Sequence, residues 1–121
     1  MWAKADGRMD ETREWYEQAR EQFEYQLAAD PDVSMVYYNA SLLYQELGDR
    51  KRVEELLRKA VQYPPPLANA HVNLGNIFGN RGQYDAAEAH YLRALSIEQD
   101  HPQAQANLDE VRRMRKAARG G

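Results

Sequence analysis

Apolar residues recur along this chain at steps of three and four, the spacing that gathers side chains on one face of an α-helix. Ala70, Leu74, Ile77 and Phe78 keep that step and stop at Asn80-Arg81-Gly82; Tyr84, Ala87, Tyr91, Ala94 and Leu95 resume it up to Gln99-Asp100-His101-Pro102. Upstream the same alternation runs through Tyr37, Ala40, Tyr44 and Leu47, breaks at Gly48-Asp49, and continues in Val53, Leu56, Leu57, Ala60 and Val61. Gly48 suits the residue just past a helix end, and Asp49 suits the N-cap of the next helix. Tyr63-Pro64-Pro65-Pro66 must close a helix, because proline lacks an amide proton and disfavours α geometry in the residue before it. Each end of the chain carries one further stripe: Trp15, Tyr16, Ala19, Phe23 and Leu27 at one, Ala104, Leu108, Val111 and Met114 or Arg115 at the other. The pattern predicts about six antiparallel helices, over 10–29, 33–47, 49–62, 67–80, 83–97 and 102–118, with 1–9 and 119–121 disordered.

Displacing the chain against itself by 34 residues aligns the helix pairs without a gap. Gly48 meets Gly82, Tyr44 meets Phe78, Leu57 meets Tyr91 and Ala60 meets Ala94, while Asn39, Asn73 and Asn107 form one column and Ala40, Leu74 and Leu108 another. A helix pair of this length carrying Leu74-Gly75, Phe78, Gly82, Ala87, Tyr91 and Ala94 resembles the tetratricopeptide repeat. The preceding copy keeps Tyr37, Tyr44, Gly48, Ala60 and Pro65, with Ala40-Ser41 in place of Leu-Gly and Val53 in place of the small alanine. The resemblance implies an all-α fold, a right-handed α-solenoid of helix-turn-helix repeats. Its single domain over 1–121 would hold an N-terminal half-repeat (10–33), repeats 34–67 and 68–101, and a C-terminal capping helix (102–118). Gln105, Asp109 and Arg112 stand where a further repeat would place core residues, as suits a terminal helix whose outer face stays wet.

Charge alters the picture little on average and more by segment. With 16 Lys+Arg against 19 Asp+Glu the net charge is −3, which weighs against generic nucleic-acid binding. Residues 1–33 hold 4 basic and 9 acidic groups, whereas 102–121 hold 5 basic and 2 acidic. Such opposite ends favour head-to-tail association, weakly because salt screens exposed charges. Arg112, Arg113, Arg115, Lys116 and Arg119 also stand where cations complement a helix dipole.

Chemistry is sparse. The absence of cysteine excludes a disulfide scaffold, a cysteine zinc site, an iron–sulfur cluster and a thiol nucleophile. The longest uncharged apolar stretch, Met35 to Leu43, is too short to span a bilayer, so no membrane partner is expected. His71, His90 and His101 do not share a helix face at ligand spacing. His71 reads as a packing residue and His101 as part of a turn. No phosphate loop, nucleophile elbow or paired-histidine zinc motif is present. Glu14, Glu17, Glu21 and Glu24 lie opposite the apolar stripe, as a solvated face. No enzymatic activity, catalytic residue, cofactor or metal is therefore expected; compartment stays open, a soluble cytoplasmic chain being slightly favoured.

Helical geometry leaves one face of each first helix unpacked. It carries Met35, Tyr38, Asn39, Leu42 and Gln45 in one repeat and Asn69, Val72, Asn73, Asn76 and Asn80 in the next, with Asn107 continuing the column. In the family resembled, this face lines a concave groove for an extended peptide or partner helix. A side-chain amide both donates and accepts, so an asparagine ladder suits a peptide backbone whatever its sequence; similar ladders serve this purpose in the helical repeats of O-linked sugar transferases. The same asparagines are equally able to bond within the fold. Met35, Tyr38 and Leu42 would add exposed apolar anchors. The chaperone-binding branch of the family needs cations where this chain has Asn69 and Asn73, which discounts that partner. The expected function is a protein-interaction module whose protein or peptide partner is not identified. Two alternatives stay open: a homo-oligomeric self-assembly element, and the interaction arm of a larger enzyme such as a glycosyltransferase.

Overall fold

The computed structural model describes residues 3–29 and 33–120, with side chains from residue 11 onward. Those residues form six α-helices and no strand: α1 Ala3–Ala29, α2 Val33–Glu46, α3 Arg50–Ala60, α4 Ala68–Asn80, α5 Tyr84–Ile97 and α6 Pro102–Ala118. Five helices fall within two residues of the bounds expected from periodicity. The exception is α1, which starts at Ala3 instead of residue 10, so 3–9 is helical where disorder was expected. That stretch lacks an apolar stripe but contains no proline and several strong helix formers, and propensity carries the helix past the end of the pattern. Arg119 and Gly120 form the C-terminal turn of α6, with the Arg119 N–H bonded to the carbonyls of Arg115 and Lys116. Residues 1, 2 and 121 and the junction 30–32 lie outside the described residues.

The turns explain why the helices pair. Gly48 and Gly82 sit at φ +79° and +77°, the left-handed region that closes a helix without a side-chain clash. After the first, Asp49 accepts from the Arg52 N–H at 3.1 Å and caps α3. After the second, Gln83 occupies the same place and gives α5 no side-chain cap. The proline-rich loop is tied down from α2: Ser34, fully buried, donates its hydroxyl to the Pro65 carbonyl at 2.6 Å. Tyr63 stacks on Tyr37 with ring centroids 5.7 Å apart.

The core is strung along the stack rather than gathered at a centre. Ala19 and Phe23 of α1 pack with Val36, Ala40, Tyr44 and Leu56. Leu57 and Ala60 then meet Ala70 and Leu74, and Val72, Ala87, Tyr91 and Ala94 meet Ala104, Leu108 and Val111 of α6. Each repeat thus buries its apolar face against the next, at roughly 1.5–3 kcal/mol per large aliphatic side chain.

Candidate binding groove

Between the α2–α3 turn and α4 the stack opens a cleft of about 710 Å³, lined by Gln45, Gly48, Arg50, Val53, Leu57, Asn73, Asn76, Ile77, Asn80 and Arg81. Amides from two helices dominate its polar wall. Asn73, Asn80 and Gln45 have no side-chain hydrogen-bond partner among the described residues. Asn76 differs: its Oδ1 accepts from the Tyr91 hydroxyl at 2.6 Å and from Asn107 Nδ2 at 2.9 Å. With its oxygen occupied twice, Asn76 keeps its NH2 group as the part of the amide left to donate. Burial pushes the Tyr91 phenol above its ordinary value, so it stays a hydroxyl donor at neutral pH.

The two arginines on the rim are not equivalent. Arg81 reaches back to Glu54 on α3, which Arg58 also binds at 2.7 Å. Hydrogen bonds from Arg81 and then Arg58 hold the Glu54 carboxylate below its usual range. Arg50 has no ion-pair partner among the described residues, so it is the cation free to meet a ligand. The Glu54–Arg81 arrangement recurs one repeat on, where Glu88 of α5 binds Arg115 at 2.5 Å and Arg112 at 2.6 Å. These bonds draw the basic last helix into the fold, leaving less of its charge for an outside partner.

The sequence-derived set divides on this geometry. Gln45, Asn73, Asn76 and Asn80 line the cleft. Val72 does not: it is 2% exposed and packs in the cluster with Leu108 and Ala104. On α4 taken alone Val72 stands on the open face, but α6 covers that flank with Ala104, Leu108 and Val111. Asn69 and Asn107 are drawn into the fold, Asn69 by His101 and Asn107 by Asn76. Met35 and Leu42 are 37% and 41% exposed and Tyr38 is half-buried, but none of the three, nor exposed Asn39, lines the cleft. Sequence periodicity gave no sign of three further participants. Tyr91 read as core, yet its hydroxyl orients Asn76. His101 read as a turn residue and is 6% exposed, capping α6 through the Ala104 N–H at 3.2 Å. His90 meets His71 across two helices at 3.1 Å, an encounter invisible to spacing within one helix. The Glu54–Arg81 and Glu88–Arg115 pairs did leave a signal, because each residue of the second stands 34 positions after its counterpart in the first.

Among the described residues, no three His, Cys, Asp or Glu side chains gather as a metal site, and no helix is long and apolar enough to cross a membrane. Stacked antiparallel helix pairs with an amide-lined cleft between successive repeats define a helical-repeat protein of the interaction class. The chain belongs to the tetratricopeptide repeat family, whose models match residues 36–66 and 68–101. It is similar to human Tetratricopeptide repeat protein 7A, 28% identical over 96 residues covering 79% of this chain and 11% of that protein. Human Tetratricopeptide repeat protein 7B is 32% identical over 100 residues, 83% of this chain and 11% of that protein. Human Protein O-mannosyl-transferase TMTC1 is 33% identical over 88 residues, 72% of this chain and 10% of that protein. The chain therefore spans about a tenth of the length of these relatives. Tetratricopeptide repeats are protein-interaction modules, and this chain shares that general role.

Proposed function

We propose that the cleft between α2–α3 and α4 binds an extended segment of a partner protein, with no catalysis of its own. The observation that carries this reading is the wall of amides without side-chain partners among the described residues, Gln45, Asn73 and Asn80, beside Asn76, whose oxygen is taken and whose NH2 group is left to donate. Val53, Leu57 and Ile77 give the cleft an apolar floor, and Arg50 gives it one cation at the rim. A strand lying there pairs its carbonyls with Asn76 and its N–H groups or carbonyls with Asn73 and Asn80. Met35, Tyr38 and Leu42 extend the binding surface along α2 for the apolar side chains of a longer partner.

The test is selection from a random-peptide library, followed by calorimetric titration of the enriched peptides against the natural chain and Asn73→Ala. Affinity should fall about tenfold in the variant, as expected for one lost net hydrogen bond of roughly 1.5 kcal/mol. Thermal stability should be nearly unchanged, since the Asn73 side chain has no partner among the described residues. Peptides indifferent to Asn73→Ala would remove the cleft from the function.

A second reading is favoured by the similarity to an O-mannosyl-transferase over 72% of the chain. In it, the cleft holds the acceptor protein for a catalytic domain. The selected peptides then include segments rich in hydroxyl-bearing residues; a set without serine or threonine contradicts it.

A further inference from the structure

Two charged side chains line the cleft, Arg50 and Arg81, and among the described residues no carboxylate does. By spacing, the internal partner for Arg50 is Glu54, one turn further along α3, since side chains at i and i+4 meet on a helix. Glu54 is already taken. Arg58 donates to its Oε2 through Nε at 3.0 Å and Nη2 at 2.7 Å, and Arg81 donates to Oε2 at 3.2 Å and also to Oε1. The acids just before Arg50 do not compensate it either. Asp49 accepts from the Arg52 N–H as the cap of α3, and Glu46, exposed at the end of α2, makes no ion pair among the described residues. This edge of the cleft therefore holds three guanidiniums against one engaged carboxylate, and the guanidinium left over is Arg50.

The amides set how a ligand lies beside that charge. Asn73 and Asn80 are separated along α4 by about 10 Å, at roughly 1.5 Å per helical residue, which is the reach of about three extended residues. A segment that pairs with both runs through the cleft instead of being held by its end, so the charge that Arg50 meets is borne by a side chain. Amides accept any backbone and do not choose among sequences. A guanidinium does choose, because it takes a carboxylate through two parallel N–H bonds and repels Lys and Arg.

Building on the reading of the cleft as a peptide groove, we infer that the partner segment is acidic. An internal Asp or Glu side chain binds Arg50, the amides hold the backbone, and Val53 and Ile77 receive a neighbouring aliphatic side chain. Arg81 lines the same cleft but is not the selecting cation, because Glu54 neutralises it.

The test resynthesises the peptides selected on the natural chain with both termini blocked, each in an acidic form and in a form with Asp and Glu replaced by Asn and Gln. Calorimetric titration at low salt should favour the acidic form by roughly threefold to tenfold, the range from an exposed ion pair to a charge-assisted hydrogen bond. The preference should shrink at high salt. Arg50→Gln should abolish it, and Arg50→Glu should turn it into a preference for peptides carrying Lys in place of the acid. Arg50 is exposed in the first turn of α3, where an acidic side chain suits the helix dipole, and matching thermal unfolding checks that both variants fold. Arg81→Gln should leave most of the preference in place.

The outcomes separate this inference from the reading beneath it. A library that yields no binder removes the groove reading and this inference with it. Peptides that weaken with Asn73→Ala but bind equally well in acidic and amide forms leave the groove standing and overturn the acidic partner. An acid preference that survives Arg50→Glu, or that is lost only in Arg81→Gln, overturns the assignment to Arg50.

Discussion

The two complete repeats, α2–α3 and α4–α5, fill the space between their helices in different ways. In α4–α5 the first helix gives up its side chain and the second supplies a large one: a Cβ on Gly75 would lie 2.6 Å from the Tyr91 ring. In α2–α3 the same two places hold Ser41 and Leu57, each 1% exposed, with the Ser41 hydroxyl turned back onto the Tyr38 carbonyl at 2.6 Å. Both pairs close the gap. Only the first sends a polar atom through it, since Tyr91 extends past Gly75 to reach Asn76. One packing solution therefore helps build the cleft, while the other only seals the core.

Removing the large member should hurt most. Tyr91→Ala empties the gap beside Gly75 and strips Asn76 of a donor, and should cost about 3–5 kcal/mol in urea denaturation. Leu57→Ala in the other repeat should cost about 2–5 kcal/mol by cavity formation alone. The difference that separates them is in the cleft: Tyr91→Phe frees the Asn76 amide, seen as a shift of its side-chain resonances, whereas Leu57→Ala leaves that amide in place.

Enlarging the small member comes next. Gly75→Ala drives a methyl group into the Tyr91 ring and should destabilise by about 1–3 kcal/mol, partly offset by up to ~1 kcal/mol of helix propensity. Ser41→Ala should be close to neutral. Gly75→Ser with Tyr91→Leu transplants the α2–α3 solution into α4–α5, and should cost less than the sum of its single changes. Additive losses would mean that the two places do not compensate each other.

Much of this architecture was legible in the sequence, because a repeat states its pattern more than once. Helix bounds followed from apolar spacing, and Gly48, Asp49 and the proline run marked the breaks. The start of α1 was not legible, because residues 3–9 have helical propensity without apolar periodicity. The cleft was half legible. Angular placement found Gln45, Asn73, Asn76 and Asn80, but assigned Val72 to the open face, since one helix considered alone does not reveal the neighbour that covers its flank. The partners of Asn69, Asn76 and Asn107 depend on distances across helices, which spacing within a helix does not encode.

The helix starts offer a smaller contrast. Asp49 caps α3, whereas Gln83 leaves α5 without a side-chain cap. Asp49→Ala should lower the unfolding free energy by about 0.5–2 kcal/mol, and Gln83→Asp should raise it by a similar or smaller amount. Thermal unfolding of the two variants checks both signs. A loss on Gln83→Asp would mean that the α5 start cannot adopt the cap geometry seen at α3.

The smallest effect concerns a feature that the two repeats share. Glu54 and Glu88 stand 34 residues apart, as do Arg81 and Arg115, so one ion pair recurs at successive junctions. At the α1–α2 junction the corresponding places hold Arg20 and Leu47, and the pair is absent. Glu88 and Arg115 are partly covered while Arg112 is half exposed, so salt still reaches the pair and Glu88→Gln should destabilise less than the core changes. Its pH dependence is nevertheless distinctive. Arg115 first and then Arg112 hold Glu88 down to about 2 in the folded chain, against an ordinary 4.5. The contribution is therefore complete above about 4.5 and lost as the pH falls toward about 2. The natural chain and Glu88→Gln should differ at neutral pH and converge as the acid limit is approached, with the gap narrowing at high salt. A gap that is independent of pH would assign Glu88 a packing role, and would leave the recurring pair as geometry without electrostatic consequence.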